Sequence, residues 1–396
     1  MNIAGIVAEY DPLHTGHAWQ IQQAKQMGAQ AVVCVISPSV VQRGGVSIFP
    51  VWVRVQAALL AGADLVLCLP APYAASSAEQ FGAAAVSILG ALGNVDSLVF
   101  GSESGQAQAL METAALLRSE GFADVLKNEL NKGDSFAAAR ARAMQMFSPE
   151  TAQYLQTPND ILGIEYCKAI QNQKLSIQPV AIKRQGAGHG GKPAGGFASA
   201  SWLRLQTAEK GVAGWQEYTP ECCKKLYLQA EQEGLLPDRK AVEIAFLSRL
   251  RMMRKEQLQQ VRGVSEGLEN KLLNAVKHSQ TLDQLYDNMK SKRYAHARIR
   301  RLVLDAVLSV PGTLPDLPPY IHILGASAAG IQLLKAAQPS LPCASSLASL
   351  EKTGREAALV AQLHADAENL SMLCRTTVQP MGTAYTKPMV IREKLL

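Results

Sequence analysis

Several things are missing from this 396-residue chain, and each absence narrows what it can be. No apolar run reaches the roughly 18 to 20 residues that a bilayer crossing needs. The opening MNIAGIVAEYDPLH has neither the basic region nor the cleavage site of a secretory leader, so a cytoplasmic protein is expected. The seven cysteines (Cys34, Cys68, Cys167, Cys222, Cys223, Cys343 and Cys374) are odd in number and never spaced CxxC. That pattern indicates neither a disulfide framework nor a structural zinc site. Cys34 and Cys68 sit inside apolar strand-like runs, the setting of buried, inert thiols. Charged residues are few, 18% against 48% hydrophobic, which excludes an intrinsically disordered chain. Internal repeats and low-complexity tracts are absent too.

What is present is enough apolar material for a sizeable core and length for two or three domains. The net charge of +6 is a mild push toward a polyanionic partner and decides nothing alone. Over the first hundred residues, short apolar runs alternate with helical patterns, the signature of a parallel sheet covered by helices. Strands are predicted at Ile3 to Ala8, Ala31 to Ser37, Leu65 to Leu69 and Ser97 to Phe100. Helices are predicted at about Gly16 to Met27, Pro50 to Ala61 and Ser77 to Leu92. A helical insertion over about 105–157 follows, then a helix opening at Pro158 and a late strand, Ile177 to Lys183. Beyond residue 210 helix formers dominate and basic clusters appear. The expectation is α/β: a Rossmann-like nucleotidyltransferase domain with a parallel sheet over 1–210, then a mainly helical domain over 211–396.

DPLHTGHAWQI stands where the first strand gives way to the first helix. In a doubly wound sheet ligands bind there, because strand ends open a crevice and a helix start offers unpaired N–H groups to an anion. His14 and His17 flank Gly16 and can both face a phosphate chain, donating hydrogen bonds as charge builds on a departing oxygen. The alternative is a pair of surface histidines in an ordinary loop. A zinc site lacks a third ligand of suitable spacing nearby, and no metal ligand is assigned. Residues 185–197 (QGAGHGGKPAGGF) read as a flexible loop able to close over a ligand, with Lys192 positioned to reach phosphates. ASASWLRLQ follows as a helix whose Ser199 and Ser201 serve either as caps or as ligand contacts. KSKRYAHARIRR carries six Lys or Arg in twelve residues (Lys290, Lys292, Arg293, Arg298, Arg300, Arg301). It suits RNA phosphates, with a solvated helix face as the plain alternative.

GIVAEYDPLHTGH, SVVQRGGVSIF, GADLVLCLPAPYAASSAEQF, LVFGSESG, PNDILGIEYCKAI, ASASWLR and KRYAHARIRR stand in the order found in the bacterial tRNA(Met) cytidine acetate ligase family. The chain resembles that family over nearly its whole length. The resemblance implies an ATP-dependent ligase that activates acetate as acetyl-adenylate and passes the acetyl group to N4 of the wobble cytidine of elongator tRNA(Met). It implies His14 and His17 as catalytic residues. It implies an ATP site of Val7, Ala8, Glu9, Tyr10, Asp11, Pro12, Leu13, His14, Thr15, Gly16, His17, Ala18, Trp19 and Gln20, joined by Gly101, Asn159 and Arg184. Ser199 is added from its own position, and Mg²⁺ is implied because ATP reacts as its magnesium complex. Four departures stand near the presumed site: Asp11 where the family has asparagine, Gly45 for glutamate, Pro50-Val51 for an acidic residue and lysine, and Asp160 for a second asparagine. The loop at 185–197 keeps only His189 of a tyrosine, histidine and aspartate grouping. Two other readings fit the residues: a nucleotidyltransferase acting on another small substrate, and a non-catalytic RNA-binding protein.

Overall fold

A computed structural model describes residues 2–185, 193–265, 267–292 and 294–395. Strands β1 (Ile3–Ala8), β2 (Ala31–Ile36), β5 (Leu65–Cys68), β6 (Ser97–Ser102) and β7 (Gln178–Lys183) form where the apolar runs predict them. A small antiparallel hairpin, β3 (Val40–Val41) and β4 (Gly45–Val46), lies between β2 and β5 and has no signal beyond its glycines. The helices α1 (Thr15–Gln26), α2 (Val51–Leu60), α3 (Ala71–Ala74) and α4 (Ala78–Leu92) connect the strands. Four short helices between Ala107 and Ala152 make the expected insertion, and the helix Pro158–Asn172 leads into β7.

Three later strands, β8 (Ile321–Ala326), β9 (Cys343–Ala344) and β10 (Val390–Ile391), join the sheet, whose order is β10-β8-β5-β2-β1-β6-β7, with β9 paired to β8. All pairings in this sheet are parallel except β5 with β8. Alternate residues of each strand bury into opposite cores: Ile3, Val33, Val35, Leu65 and Leu67 on one face, Ile6, Val32, Cys34, Ile36 and Val66 on the other. Burial on both faces is why these strands read as continuous apolar runs.

The chain beyond the expected boundary at 210/211 stays in contact with the sheet. The second half is mainly helical, but β8, β9 and β10 (Val390–Ile391) return to extend the sheet. Residues Val212 to Leu235 pack against β1, β2 and α2 in the same core as the strands. Only the helices from about 246 to 308 build a core dominated by their own residues, among them Leu250, Leu272, Leu285 and Val303. IHILGA is short and flanked by helical text, and two of its partner strands are two residues long, so local periodicity had little to register.

Asp64 locks the returning strand in place. Its carboxylate accepts from the Val32 amide at 3.0 Å and the Ser327 hydroxyl at 3.0 Å, and pairs with Lys25 at 3.0 Å. Its carbonyl accepts from the Ser327 amide at 2.8 Å, and Gly330 in the helix Ala328–Ala336 lies so close that a Cβ there would fall 1.9 Å from it. Backbone cannot retreat as a side-chain tip can. Gly330→Ala is therefore expected to cost about 2 kcal/mol of stability in urea denaturation, the usual penalty of overpacking; an unchanged midpoint would show that this contact is slack.

Candidate functional site

The chain leaves β1 through Glu9–Leu13 and enters α1 at His14, its extended N-cap residue. Tyr10 adopts φ 48°, in the left-handed region, and its buried hydroxyl meets the Cys34 thiol at 3.3 Å. The two histidines then cap the helix reciprocally. His14 Nδ1 accepts from the Gly16 amide at 3.1 Å, and His17 Nδ1 accepts from the His14 amide at 3.4 Å. Their rings stack at 3.8 Å between centroids, and Tyr10 meets His17 edge-on at 5.0 Å. A Cβ on Gly16 would lie 3.0 Å from His14 Cε1, so the residue between the histidines has to be small.

Because each Nδ1 accepts from a backbone N–H, the neutral ring carries its proton on Nε2. Neutral is the state the surroundings enforce. Burial drives His17 down to about 3, with the positive charges of Arg184 and Arg204 adding to the effect and a hydrogen bond to the Pro12 backbone opposing it. His14 is pushed well below its ordinary value by burial first, then by His17, Arg184 and Arg204. The site thus presents two uncharged imidazoles at a helix start, beside arginines that carry the positive charge.

The two rings border two adjoining hollows that share His14, His17, Gln20, Gly101 and Arg184. One, of about 940 Å³, is walled by residues 7–11, Arg43, Asn159, Ser199, Ser201 and Arg204. The other, of about 540 Å³, has an apolar side of Trp19, Ile182 and Phe197. Together they form a crevice at the carboxyl ends of β1 and β6. The connections diverge there, one running through β2 and the other crossing to β6 on the far side of β1, which is where open α/β sheets bind ligands. Gln20 fixes α1 to the strand edge by donating to the Val99 carbonyl at 3.0 Å. The Arg184 side chain lies over Gly101, whose missing Cβ would meet it at 3.4 Å, and its guanidinium donates to Asn159 Oδ1 at 3.4 Å. Ser199 caps the helix Ala200–Lys210 by accepting from the Trp202 amide at 3.2 Å.

Three comparisons with known proteins bear on this geometry. Residues 1–383 match the HIGH Nucleotidyl Transferase family. A tRNA(Met) cytidine acetate ligase of Caldanaerobacter subterraneus is 38% identical over 348 residues, 85% of this chain and 86% of that one. Its counterpart in Clostridium acetobutylicum is 31% identical over 99% of this chain and 100% of its own length. The chain belongs to the tRNA(Met) cytidine acetate ligase family. The crystal structure of Thermotoga maritima TmcAL superposes with a TM-score of 0.92 at 28% identity, covering 99% of both chains. A second form of it, bound with alpha-thio ATP, gives 0.90 with the same coverage.

The four departures from the family pattern are accommodated in different ways. Asp11 is buried and its added charge is met in place: one oxygen accepts from the Ile48 amide at 2.6 Å and the other pairs with Arg43 at 2.9 Å. Arg204 approaches the same carboxylate at 4.0 Å and donates to the Asp11 carbonyl at 2.9 Å. Asp160 does not line the crevice. It accepts from the Ser102 hydroxyl, from the Ser104 amide at 3.3 and 3.2 Å and hydroxyl at 3.1 Å, and from the Thr157 hydroxyl at 2.9 Å, tying the end of β6 to the start of the helix Pro158–Asn172. Gly45 faces open space, and Val51 starts α2 on the wall of a different cavity.

Most residues singled out from sequence meet at the crevice. Pro12, Leu13 and Ala18 shape the turn and α1 without lining either hollow, and Thr15 holds the Gly196 carbonyl at 3.2 Å. His189, Lys192 and Arg293 lie outside the described residues. Arg43 and Arg204 were missed, although both stand inside quoted motifs; nothing local distinguishes them from solvated arginines, since their roles come from β4 and the helix Ala200–Lys210 folding onto the turn. Burial, then Arg43 nearby, lowers Arg204 to about 10, which leaves it charged at neutral pH. Arg43 bridges Glu9 at 3.0 Å and Asp11 at 2.9 Å. Both crevice carboxylates, Glu9 and Asp11, are thereby committed, and among the described residues the lining offers no free carboxylate pair for Mg²⁺.

The basic segment is carried by the helix His296–Leu308 and the turn before it. Lys290, Lys292, Arg298 and Arg300 are exposed, with the Arg298 guanidinium over Tyr294 at 4.6 Å and that of Arg300 over Tyr286 at 5.2 Å. Arg298 and Arg301 wall a groove of about 1520 Å³ together with Arg140 and Arg262. Gly44, next to Arg43, presses on this helix: at φ +78° a Cβ would lie 2.5 Å from the Arg301 amide nitrogen.

The depressed histidines make stability depend on pH in one direction. As pH falls below about 6.5 the unfolded chain takes protons on these rings while the native state does not, so native stability is full above that value and is lost toward pH 3. Each ring contributes a slope of about 1.4 kcal/mol per pH unit. In urea unfolding between about pH 6 and about pH 4, His17→Gln should flatten the slope by about that amount relative to wild type; an unaltered slope would mean that His17 titrates normally.

Proposed function

We propose that this protein activates acetate with ATP and transfers the acetyl group to N4 of the wobble cytidine of elongator tRNA(Met). The observation that carries the reading is the pair of neutral imidazoles at a helix start, lining a crevice with Arg184 and Arg204, in a chain similar along its length to proteins named for that ligase activity. An acetate oxygen attacks the α-phosphorus of ATP, the bond to the β-phosphate oxygen breaks, and pyrophosphate leaves. Negative charge gathers on that bridging oxygen, and fixed donors already aimed at it need no reorganisation. Neutral imidazoles suit the task, since they donate without giving up a proton at physiological pH. The cytidine amine then attacks the acetyl carbonyl, AMP departs, and the amine nitrogen loses its proton. The adenylate is already a good leaving group, so the protein's share is positioning and charge stabilisation.

Within this reading the base and ribose lie against Trp19, Ile182, Phe197 and Gly101, and the triphosphate runs toward Arg184 and the histidines. Mg²⁺ enters on the nucleotide's own phosphates. The RNA backbone follows the groove of Arg298 and Arg301, onto which the helix starts at Ser77, Ser135 and Ala295 also open. Among the described residues no helix is long and apolar enough to cross a membrane, and a cytoplasmic enzyme is the reading that suits a tRNA substrate.

The test is ATP–pyrophosphate exchange with acetate and Mg²⁺, with and without elongator tRNA(Met), followed by nucleoside mass analysis for N4-acetylcytidine. Exchange with the modified nucleoside is expected. Exchange with another acid and no RNA product would indicate an altered substrate, and no exchange would favour a binding protein. His14→Ala or His17→Ala should abolish exchange while tRNA affinity is retained. The double variant Arg298→Gln/Arg301→Gln should weaken tRNA binding and lower the slope of log affinity against log salt by about 2, leaving exchange without tRNA at the wild-type rate; an unchanged salt slope would remove this groove from the RNA path.

A further inference from the structure

The antiparallel pairing of β5 with β8 sets Cys68 directly opposite His322, and directly paired residues project to the same side of a sheet. The helix Arg355–Leu373 crosses that side and brings down His364. One ligand atom from each of the three, the Cys68 thiol and a ring nitrogen of each histidine, lies within 4.8 Å of the other two. All three side chains are buried: Cys68 is 1%, His322 5% and His364 2% exposed. Neither histidine has a hydrogen-bond partner for Nδ1. Two orphaned imidazole nitrogens beside a thiol are an unusual cost for a core, because a buried polar atom without a partner forfeits its hydration with no return.

A small pocket adjoins the cluster and includes His322, His364, Glu368, Ser345 and Thr383 in its wall. The Thr383 hydroxyl is also unpartnered. Glu368, one turn after His364, accepts from the Ser39 amide and hydroxyl at 2.7 Å each and adds negative charge nearby. Lys387, on the same wall, lies over the Trp52 ring at 4.5 Å.

We propose that Cys68, His322 and His364 bind one divalent cation of the zinc class, with the fourth position open to the adjoining cavity. One thiolate and two imidazoles make a borderline-soft donor set that disfavours Mg²⁺ and Ca²⁺. Tetrahedral zinc places its ligand atoms roughly 3.3 to 3.7 Å apart, so the three have to close by about an ångström, within reach of small side-chain rotations. Burial, with His364 adding to it, holds His322 at about 3 despite a hydrogen bond to the Ser345 backbone, and burial holds His364 at about 4. The ion would pin the paired strands β5 and β8 to the helix Arg355–Leu373 across residues 68, 322 and 364. CxxC spacing could not reveal such a site, because its ligands are assembled by strand pairing.

The test uses the full chain, freed of any affinity tag, stripped with a chelator and titrated with Co(II). One equivalent is expected to bind, giving the visible d–d bands of a four-coordinate ion and a near-ultraviolet thiolate-to-metal band, both lost when Zn(II) is added. Cys68→Ser should lose the thiolate band and His364→Gln should lose the stoichiometric binding, and Zn(II) should raise the Tm of the wild type but of neither variant. Absence of bands and of any Zn(II)-dependent Tm shift in the wild type would overturn the proposal, and this readout does not depend on a variant folding. So would full binding in both variants, which would place the ion elsewhere, for instance at exposed Cys222 or at His14 and His17.

Discussion

The active crevice depends on the way two imidazoles close the start of their own helix. With Nδ1 of His14 and His17 each occupied by a backbone N–H, neither ring can rotate without leaving a buried amide unpaired. The same bonds fix the tautomer, and the stacked rings together with the vacant space at Gly16 fix the spacing. Local helix capping thus sets the orientation of both rings that line the crevice.

Holding that turn requires positive charge under it as well as within it. Arg54, fully buried, donates to the carbonyls of Glu9, Phe49 and Pro38, so one guanidinium gathers the loop after β1, the loop after β2 and the approach to α2. Arg375 does the same from the far end of the chain, donating to the carbonyls of Ser47, Ile48 and Leu235. Burial lowers both. Carbonyl oxygens and the neighbouring carboxylates of Asp11, Glu9 and Glu368 compensate, and buried charge is tolerated only with such partners. Asp11 therefore belongs to the scaffold of the site as much as to its lining.

Much of this was legible in the sequence because it is local. Apolar runs bounded by prolines and glycines located β1, β2, β5, β6 and β7 to within two residues, and the HTGH turn announced itself by its position after β1. What escaped was set by long-range contact. Arg43 and Arg204 acquire a role only once Asp11 is brought between them, Asp160 turns away from the crevice because three oxygen-bearing neighbours claim it, and β8 declares itself only beside the edge of β5. The β3–β4 hairpin is four paired residues, too few for any period, yet it joins Arg43 in the crevice to Gly44 against the basic helix.

The antiparallel entry of β8 beside β5 also governs the order in which the protein can be made. Until residues Ile321–Ala326 have emerged, β5 is an open edge with unpaired backbone groups and an apolar face, and Arg375 and Glu368 are not yet present to brace the loops at Ser47 and Ser39 more than 320 positions upstream. A ribosome-bound chain must therefore carry an unfinished sheet through most of its synthesis. The contacts that complete it are among the least local in the molecule, which makes the last quarter of translation, rather than the first, the moment at which the crevice acquires its shape.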